Sequence, residues 1–196
     1  MKKRLLPVMV VVTSLAWSLA ASANVPSPPN SSVDPCLVIC PQGDIPFHAT
    51  VRDFANVPIA NSAVMIDFCS CVGHGFSFCL SLPCRLVALS DAAGTATFNI
   101  PGGGLCATPV SVYADGVFLA SRTIASPDQN GDMTVDAADA AILGGKIGTT
   151  DPSGDLDCDG SVTPNDQSTR ALHAQHSCGV VPTQVQSWGR TKAIYR

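Results

Sequence analysis

Between Asp128 and Asp166 one spacing of oxygen-bearing side chains occurs twice. DQNGDMTVDAAD (Asp128 to Asp139) and DLDCDGSVTPND (Asp155 to Asp166) each place such a side chain at loop positions 1, 3, 5, 9 and 12, with valine at position 8. The second stretch begins 27 residues after the first. A hard cation such as calcium takes six to eight oxygens, and this is the ligand pattern of a twelve-residue calcium loop. The first loop offers Asp128, Asn130, Asp132, the Thr134 carbonyl, Asp136 and Asp139; the second offers Asp155, Asp157, Asp159, the Ser161 carbonyl, Thr163 and Asp166. Val135 and Val162 are expected to pair the two loops back to back. Position 6 is Gly160 in the second loop but Met133 in the first. A turn that needs positive φ costs a non-glycine residue roughly 1–2 kcal/mol, so the first loop is expected to hold its ion less tightly.

Charge supports the same reading. The chain has no glutamate, so its fifteen carboxylate side chains are all aspartates, and nine of them lie between Asp128 and Asp166, where Lys146 is the only basic residue. That balance excludes a nucleic-acid-binding surface. At the N-terminus Lys2, Lys3 and Arg4 precede an apolar stretch from Leu5 to about Ala20, and Ala21-Ser22-Ala23 is an A-x-A cleavage site. Residues 1–23 therefore read as a secretory signal, and the protein as secreted, with no later membrane span. Removing that segment takes the formal charge from −4 to −7.

Nine cysteines in an exported chain read as disulfides first. Seven lie between Cys36 and Cys106; Cys158 and Cys178 lie in or after the acidic loops and are expected to bridge to each other, closing a loop worth about 3 kcal/mol in the chain-entropy model. One thiol is left over. Cys69 and Cys71, two apart on a strand, need different partners, with Cys36, Cys40 and Cys106 as candidates. Zinc bound through Cys69, Cys71, His74 and Cys79 or Cys84 is the competing reading; the spacing is not that of a zinc finger, and disulfides are favoured.

Ahead of the acidic repeats the pattern has period two. Residues 24–35 (NVPSPPNSSVDP) are rich in Pro, Ser and Asn and read as an extended linker. Ile45, Phe47, Ala49 and Val51 then alternate, as do Val64, Ile66 and Phe68 and later Ala96, Phe98 and Ile100, with a strand at Leu86 to Leu89 between them. PGGG (Pro101 to Gly104) is expected to break the chain; Val110, Val112 and Ala114 form the next strand, Asp115-Gly116 is a hairpin signal, and Val117 to Ile124 returns. Short strands with turns at this spacing indicate a β-sandwich. The stretches VRDFANVPIANSAVMIDF (Val51 to Phe68) and SDAAGTATFNIPGG (Ser90 to Gly103) resemble bacterial Ig-like domains of the invasin type and the related prealbumin-like repeats. The resemblance implies an Ig-like sandwich over residues 36–125 that serves as a stalk, spacer or adhesive surface.

Both acidic loops run into helix starts. Thr163-Pro164-Asn165-Asp166 supplies an N-cap, a first-position Pro and an acid at N3, and Asp136 and Asp139 repeat the arrangement in the first loop. With aspartate rather than glutamate at position 12 and a ~27-residue repeat, residues 126–178 resemble a type I dockerin more than an ordinary EF-hand pair. The resemblance implies Ca2+ as cofactor, a cohesin-like or other surface protein as partner, and a family-level link to polysaccharide-degrading complexes; the partner-contact positions 10 and 11 are Ala137-Ala138 and Pro164-Asn165 here, not the Ser-Thr pairs of that family. Gln167, Thr169 and Arg170 stand where that family places apolar helix residues.

The predicted fold class is thus mainly β with a small α module, followed by a tail over 179–196 that carries Trp188 and Tyr195. No catalytic residues are expected. There is neither a G-x-S-x-G elbow nor H-E-x-x-H, and the aspartates outside the loops (Asp34, Asp44, Asp53, Asp67, Asp91, Asp115 and Asp151) suggest no paired acid and base. His173 and His176 lie one helical turn apart, close enough to share a metal, but exposed helix histidines are the commoner case. The reading is a non-catalytic, calcium-binding modular protein that assembles with other extracellular proteins; the alternative is a calcium-rigidified stalk or adhesin with no such partner.

Overall fold

The structure, a computed structural model, describes residues 24–179. The expected secretory signal and residues 180–196 of the tail lie outside the described residues. The strands in chain order are β1 (Ser32–Val33), β2 (Leu37–Val38), β3 (Pro46–Thr50), β4 (Ala63–Asp67), β5 (Phe76–Phe78), β6 (Arg85–Leu89), β7 (Thr95–Asn99), β8 (Gly102–Gly104), β9 (Val110–Ala114), β10 (Val117–Arg122) and β11 (Ile124–Ala125). Two helices follow, α1 (Ala137–Gly144) and α2 (Pro164–Leu172). The fold is mainly β with a small helical part.

The period-two segments form two sheets. One has the order β1-β3-β7 and the other β10-β9-β4-β6, each with antiparallel neighbours. Alternation selects the inner faces: Phe47 and Ala49 from β3, Ala96 and Phe98 from β7, Val64 and Ile66 from β4, and Val110, Val112 and Ala114 from β9 share one buried cluster. Removing such side chains from water stabilises a fold by about 1.5–3 kcal/mol each for the larger ones. Phe68, Phe76 and Phe78 close one end of this core, with ring centroids 5.0–5.4 Å apart. The β9–β10 hairpin turns at Asp115-Gly116, both with positive φ, as the sequence predicts.

Three segments depart from expectation. Part of the segment expected to be a free linker is built into the first sheet: the Ser27 amide donates to the Arg52 carbonyl at 2.7 Å, the Asn30 side-chain amide donates to the Asp53 carbonyl at 2.8 Å, and Ser32 and Val33 pair with Thr50 and Ala49. Composition flagged the missing apolar alternation, but a two-residue edge strand needs only backbone groups. PGGG does not simply break the chain, because Gly102–Gly104 pair with Phe76–Phe78 as β8. Glycine carries no alternation for a sequence reading to detect. Finally, a second buried cluster crosses the expected boundary at 125/126. It joins Val38 and Ala125, from the parallel β2–β11 pair, to Leu143, Leu156 and Val162, so the acidic segment packs on the β-body.

Disulfides fix the same junction and correct the expected Cys158–Cys178 bridge. Cys158 pairs with Cys36, 122 residues away, and Cys178 pairs with Cys79, 99 residues away. Proximity in sequence favoured the internal pair, but the packing of the loops on the β-body brings each cysteine to a different strand-side partner. Cys69–Cys84 and Cys71–Cys106 complete the set, and Cys40 is left as a buried free thiol. Three disulfides therefore stand where the zinc reading of Cys69, Cys71, Cys79 and Cys84 would need thiolates.

Because the Cys36–Cys158 link closes so long a loop, replacing both residues by alanine is expected to lower unfolding stability by about 2–5 kcal/mol. The check is the midpoint of chemical denaturation under non-reducing conditions. An unshifted midpoint would contradict the junction described here.

Candidate metal centre

The two acidic loops fold alike, and their backbones explain why. In each, the position-1 aspartate turns its carboxylate back onto the loop. One Asp128 oxygen accepts from the Gly131 amide at 2.8 Å and the other from Met133 at 3.0 Å; Asp155 accepts from Asp159 at 3.1 Å and Gly160 at 2.9 Å. The position-12 aspartate closes the loop from the far side. Asp139 accepts from Gln129 (2.7 Å), Asn130 (3.1 Å) and Asp136 (2.8 Å), and Asp166 accepts from Leu156 (2.6 Å), Asp157 (3.2 Å) and Thr163 (2.6 Å). Asp128, Asp139 and Asp166 are wholly buried and Asp155 nearly so.

The helix starts follow the predicted chemistry. Asp136 and Thr163 are N-caps whose side chains accept from Ala138 and Asn165, and Asp139 and Asp166 complete a capping box at N3 of each helix. The position-12 carboxylate thus ties the loop to the helix as well as closing it. Carboxylates at a helix N-terminus are also favoured by the helix dipole.

Each loop makes two left-handed turns, at positions 4 and 6. They fall on Gly131 and Met133 in the first loop and on Cys158 and Gly160 in the second, with φ of 76°, 69°, 65° and 90° respectively. The strain expected at Met133 is present, and a matching one stands at Cys158, at loop position 4, where the ligand spacing marks no turn. The cysteine there is held by its bridge to Cys36.

The first loop is seated on the glycine strand β8. The Gly104 amide donates to the Asp128 carbonyl at 3.1 Å, and a Cβ on Gly103 would stand 1.9 Å from Asp128 Oδ2. The loop reaches the β-body only because no side chain intervenes. This is the physical role of PGGG that its reading as a break did not contain.

The back-to-back pairing of Val135 with Val162 does not occur. Val135 exchanges backbone hydrogen bonds with the segment after α2: its amide donates to His176 and its carbonyl accepts from Gln175, both at 2.8 Å. Val162 does the same with the segment after α1, through Thr149 and Gly148, both at 2.8 Å. Each loop is therefore braced by the turn residues that leave the other repeat's helix. The helices meet through polar groups: the Gln167 side chain donates to the Ala140 carbonyl at 2.7 Å, and Arg170 donates to Gln167 and to the Asp136 carbonyl, both at 3.2 Å. This polar docking replaces the apolar contact that Gln167, Thr169 and Arg170 cannot make.

Electrostatics set the test of whether the residues fit a cation. Among the described residues none of the eight loop aspartates has an ion-pair partner; Lys146 pairs with Asp151 instead, at 3.2 Å. Asp155, Asp157 and Asp159 bring one oxygen each within 4.8 Å of the others. Burial, together with nearby Asp139 and Asp132, pushes Asp128 up to about 6. Lost hydration, then Asp166 and Asp159, raise Asp157 as well. In the first loop Asn130 and Asp132 hydrogen-bond each other at 2.9 Å, and Thr134 lies between them and the Asp136 cap. The Asp155, Asp157 and Asp159 carboxylates of the second loop are an all-oxygen group of the kind a hard divalent cation takes, whereas no three carboxylates of the first loop gather as closely.

The chain matches no family model, no curated protein and no solved structure.

A Cβ at Gly160 would meet nothing within 4 Å, so Gly160→Ala isolates backbone strain from packing. It is expected to destabilise by about 1–2 kcal/mol, whereas Met133→Gly, relieving the same strain in the first loop, stabilises by up to about 1 kcal/mol. Thermal unfolding of the two variants checks this; shifts of the same sign would contradict the loop geometry.

Proposed function

We propose that this is a secreted, non-catalytic calcium-binding protein in which two ion-ordered loops stiffen a disulfide-clamped β-body that serves as an extracellular stalk or adhesive surface. The observation that carries the reading is the pair of similarly folded loops whose eight aspartates have no cationic partner among the described residues. Asp128, Asn130, Asp132, Thr134, Asp136 and Asp139 would hold one ion, and Asp155, Asp157, Asp159, Ser161, Thr163 and Asp166 the other. When bound, calcium supplies the positive charge that these carboxylates lack. The protein's own part is to hold the loops in shape with backbone amides and to anchor them with Cys36–Cys158 and Cys79–Cys178.

Export is supported by eight paired cysteines and by the signal-like N-terminal sequence; among the described residues no helix is long and apolar enough to cross a membrane. The stiffening role is favoured over a freely plugging module because two disulfides and a shared buried cluster bind the loops to the sheets. One observation favours the second reading, a dockerin-like module that assembles with a cohesin-like partner. Ala137, Ala138, Pro164 and Asn165, the positions 10 and 11 where that family contacts its partner, are all exposed at the helix starts.

Calorimetric titration of the full chain with calcium is expected to give heat from both loops, and Asp155→Asn to remove the second-loop component. Free calcium at a hundredfold excess over the dissociation constant should add about 2.7 kcal/mol of stability, read as a raised melting temperature that EDTA reverses. Absence of heat together with an unchanged melting temperature would overturn the reading. A partner captured with calcium and released by chelator would favour assembly over stiffening.

A further inference from the structure

The thiol left over by the disulfides is not isolated. Cys40, Asp44, His173 and His176 converge, each offering one ligand atom within 4.8 Å of the other three. Cys40 Sγ stands 3.3 Å from His176 Nδ1, and Asp44 Oδ2 stands 3.2 Å from His173 Nδ1 and 3.5 Å from His176 Nδ1. Two tight turns build the group. Cys40 and Asp44 flank a turn closed by the Gly43 amide donating to the Cys40 carbonyl at 2.8 Å, and His173 and His176 flank one closed by the His176 amide donating to the His173 carbonyl at 3.0 Å. Gly43, the fourth residue of the first turn, and Gln175, the third of the second, take positive φ. The Cys79–Cys178 disulfide then holds the second turn against the β-body.

We propose that Cys40, Asp44, His173 and His176 form a zinc site that pins the segment after α2 to the β-body. Four arguments carry it. Zinc bonds of about 2.0–2.3 Å in tetrahedral array put neighbouring ligand atoms about 3.3–3.6 Å apart; the Cys40–His176 and Asp44–His176 pairs, at 3.3 and 3.5 Å, have that spacing, and the Asp44–His173 pair, at 3.2 Å, is just under it. One thiolate, two imidazoles and a carboxylate suit zinc, whereas calcium takes oxygen alone. His173 Nδ1 is buried with no hydrogen-bond partner, since Asp44, though near, is not aligned to accept from it. An unpartnered buried polar atom is costly unless something in the site engages it. Cys40 is also the one cysteine of the described residues outside a disulfide, in a chain whose other eight are paired.

A nucleophilic Cys–His pair is disfavoured. Cys40 is fully buried, so no substrate reaches its sulfur, and burial pushes the thiol up to about 12. At Asp44 burial acts upward, but the Cys40 thiol, a hydrogen bond from its own backbone amide and the two imidazoles outweigh it and leave the carboxyl below its usual range. The sequence held half of this site in the His173–His176 spacing. Cys40 and Asp44 lie more than a hundred residues earlier, and only the fold brings them in.

The inference is independent of the calcium reading, because the one cysteine of the acidic loops, Cys158, is tied up in its disulfide and offers no thiolate. The full chain, freed of metal and kept in excess calcium, is titrated with cobalt(II) and then zinc. The expected result is a thiolate-to-cobalt charge-transfer band with tetrahedral d–d absorption, displaced by one equivalent of zinc. Cys40→Ser abolishes the band, and both Cys40→Ser and His176→Ala weaken zinc binding by at least about 100-fold, beyond the ~10–100-fold typical of a change outside the ligand shell. Should Cys40→Ser fail to fold, Asp44→Asn and His176→Ala carry the same affinity prediction, with intact disulfide mass maps as the control. A wild-type chain with no charge-transfer band, or zinc affinity unchanged in the variants, would overturn the proposal.

Discussion

The acidic segment depends on buried carboxylates held by their own loop amides. Asp128 and Asp139 in one repeat, and Asp155 and Asp166 in the other, accept ten backbone N–H groups between them. A carboxylate that accepts several amides can be buried at tolerable cost, but amides are dipoles and do not neutralise it. The loops therefore have a defined shape and an uncompensated charge together. That combination distinguishes them from an acidic surface, whose charges water alone would solvate.

Attachment to the β-body is what gives this charged segment its stability. Its own core is thin: Leu143, Leu156 and Val162 are buried in one cluster with Val38 and Ala125 from the β2–β11 pair. The glycine strand lets Asp128 approach, and two long-range disulfides limit how far the segment can separate in the unfolded chain. The crossed bracing of Val135 and Val162 links the repeats to each other through backbone hydrogen bonds rather than side chains. The segment that braces the first loop also carries His176, so the candidate zinc site and the first acidic loop share one short stretch of backbone.

Much of this was legible in the sequence wherever a local rule decides the outcome. Phe47, Ala49, Val64, Ile66, Val110 and Val112 alternate because a strand has period two, and they line the core. Thr163-Pro164-Asn165-Asp166 spells a helix start because capping involves neighbours only. What was not legible depends on distant approach. The partners of Cys158 and Cys178 lie 122 and 99 residues away, and no spacing rule connects them. Gly102–Gly104 carry no side-chain pattern, so nothing in their sequence separates a strand from a break. The expectation that Val135 and Val162 pair back to back fails because the backbone pairs each with the chain leaving the opposite helix.

The most direct test of the account is an anomalous-difference map from crystals of the full chain grown with calcium. The account predicts one peak within each loop, the first among Asp128, Asn130, Asp132 and Asp139 and the second among Asp155, Asp157, Asp159 and Asp166. Loops closed by the same amide hydrogen bonds but holding only water at both places would contradict it.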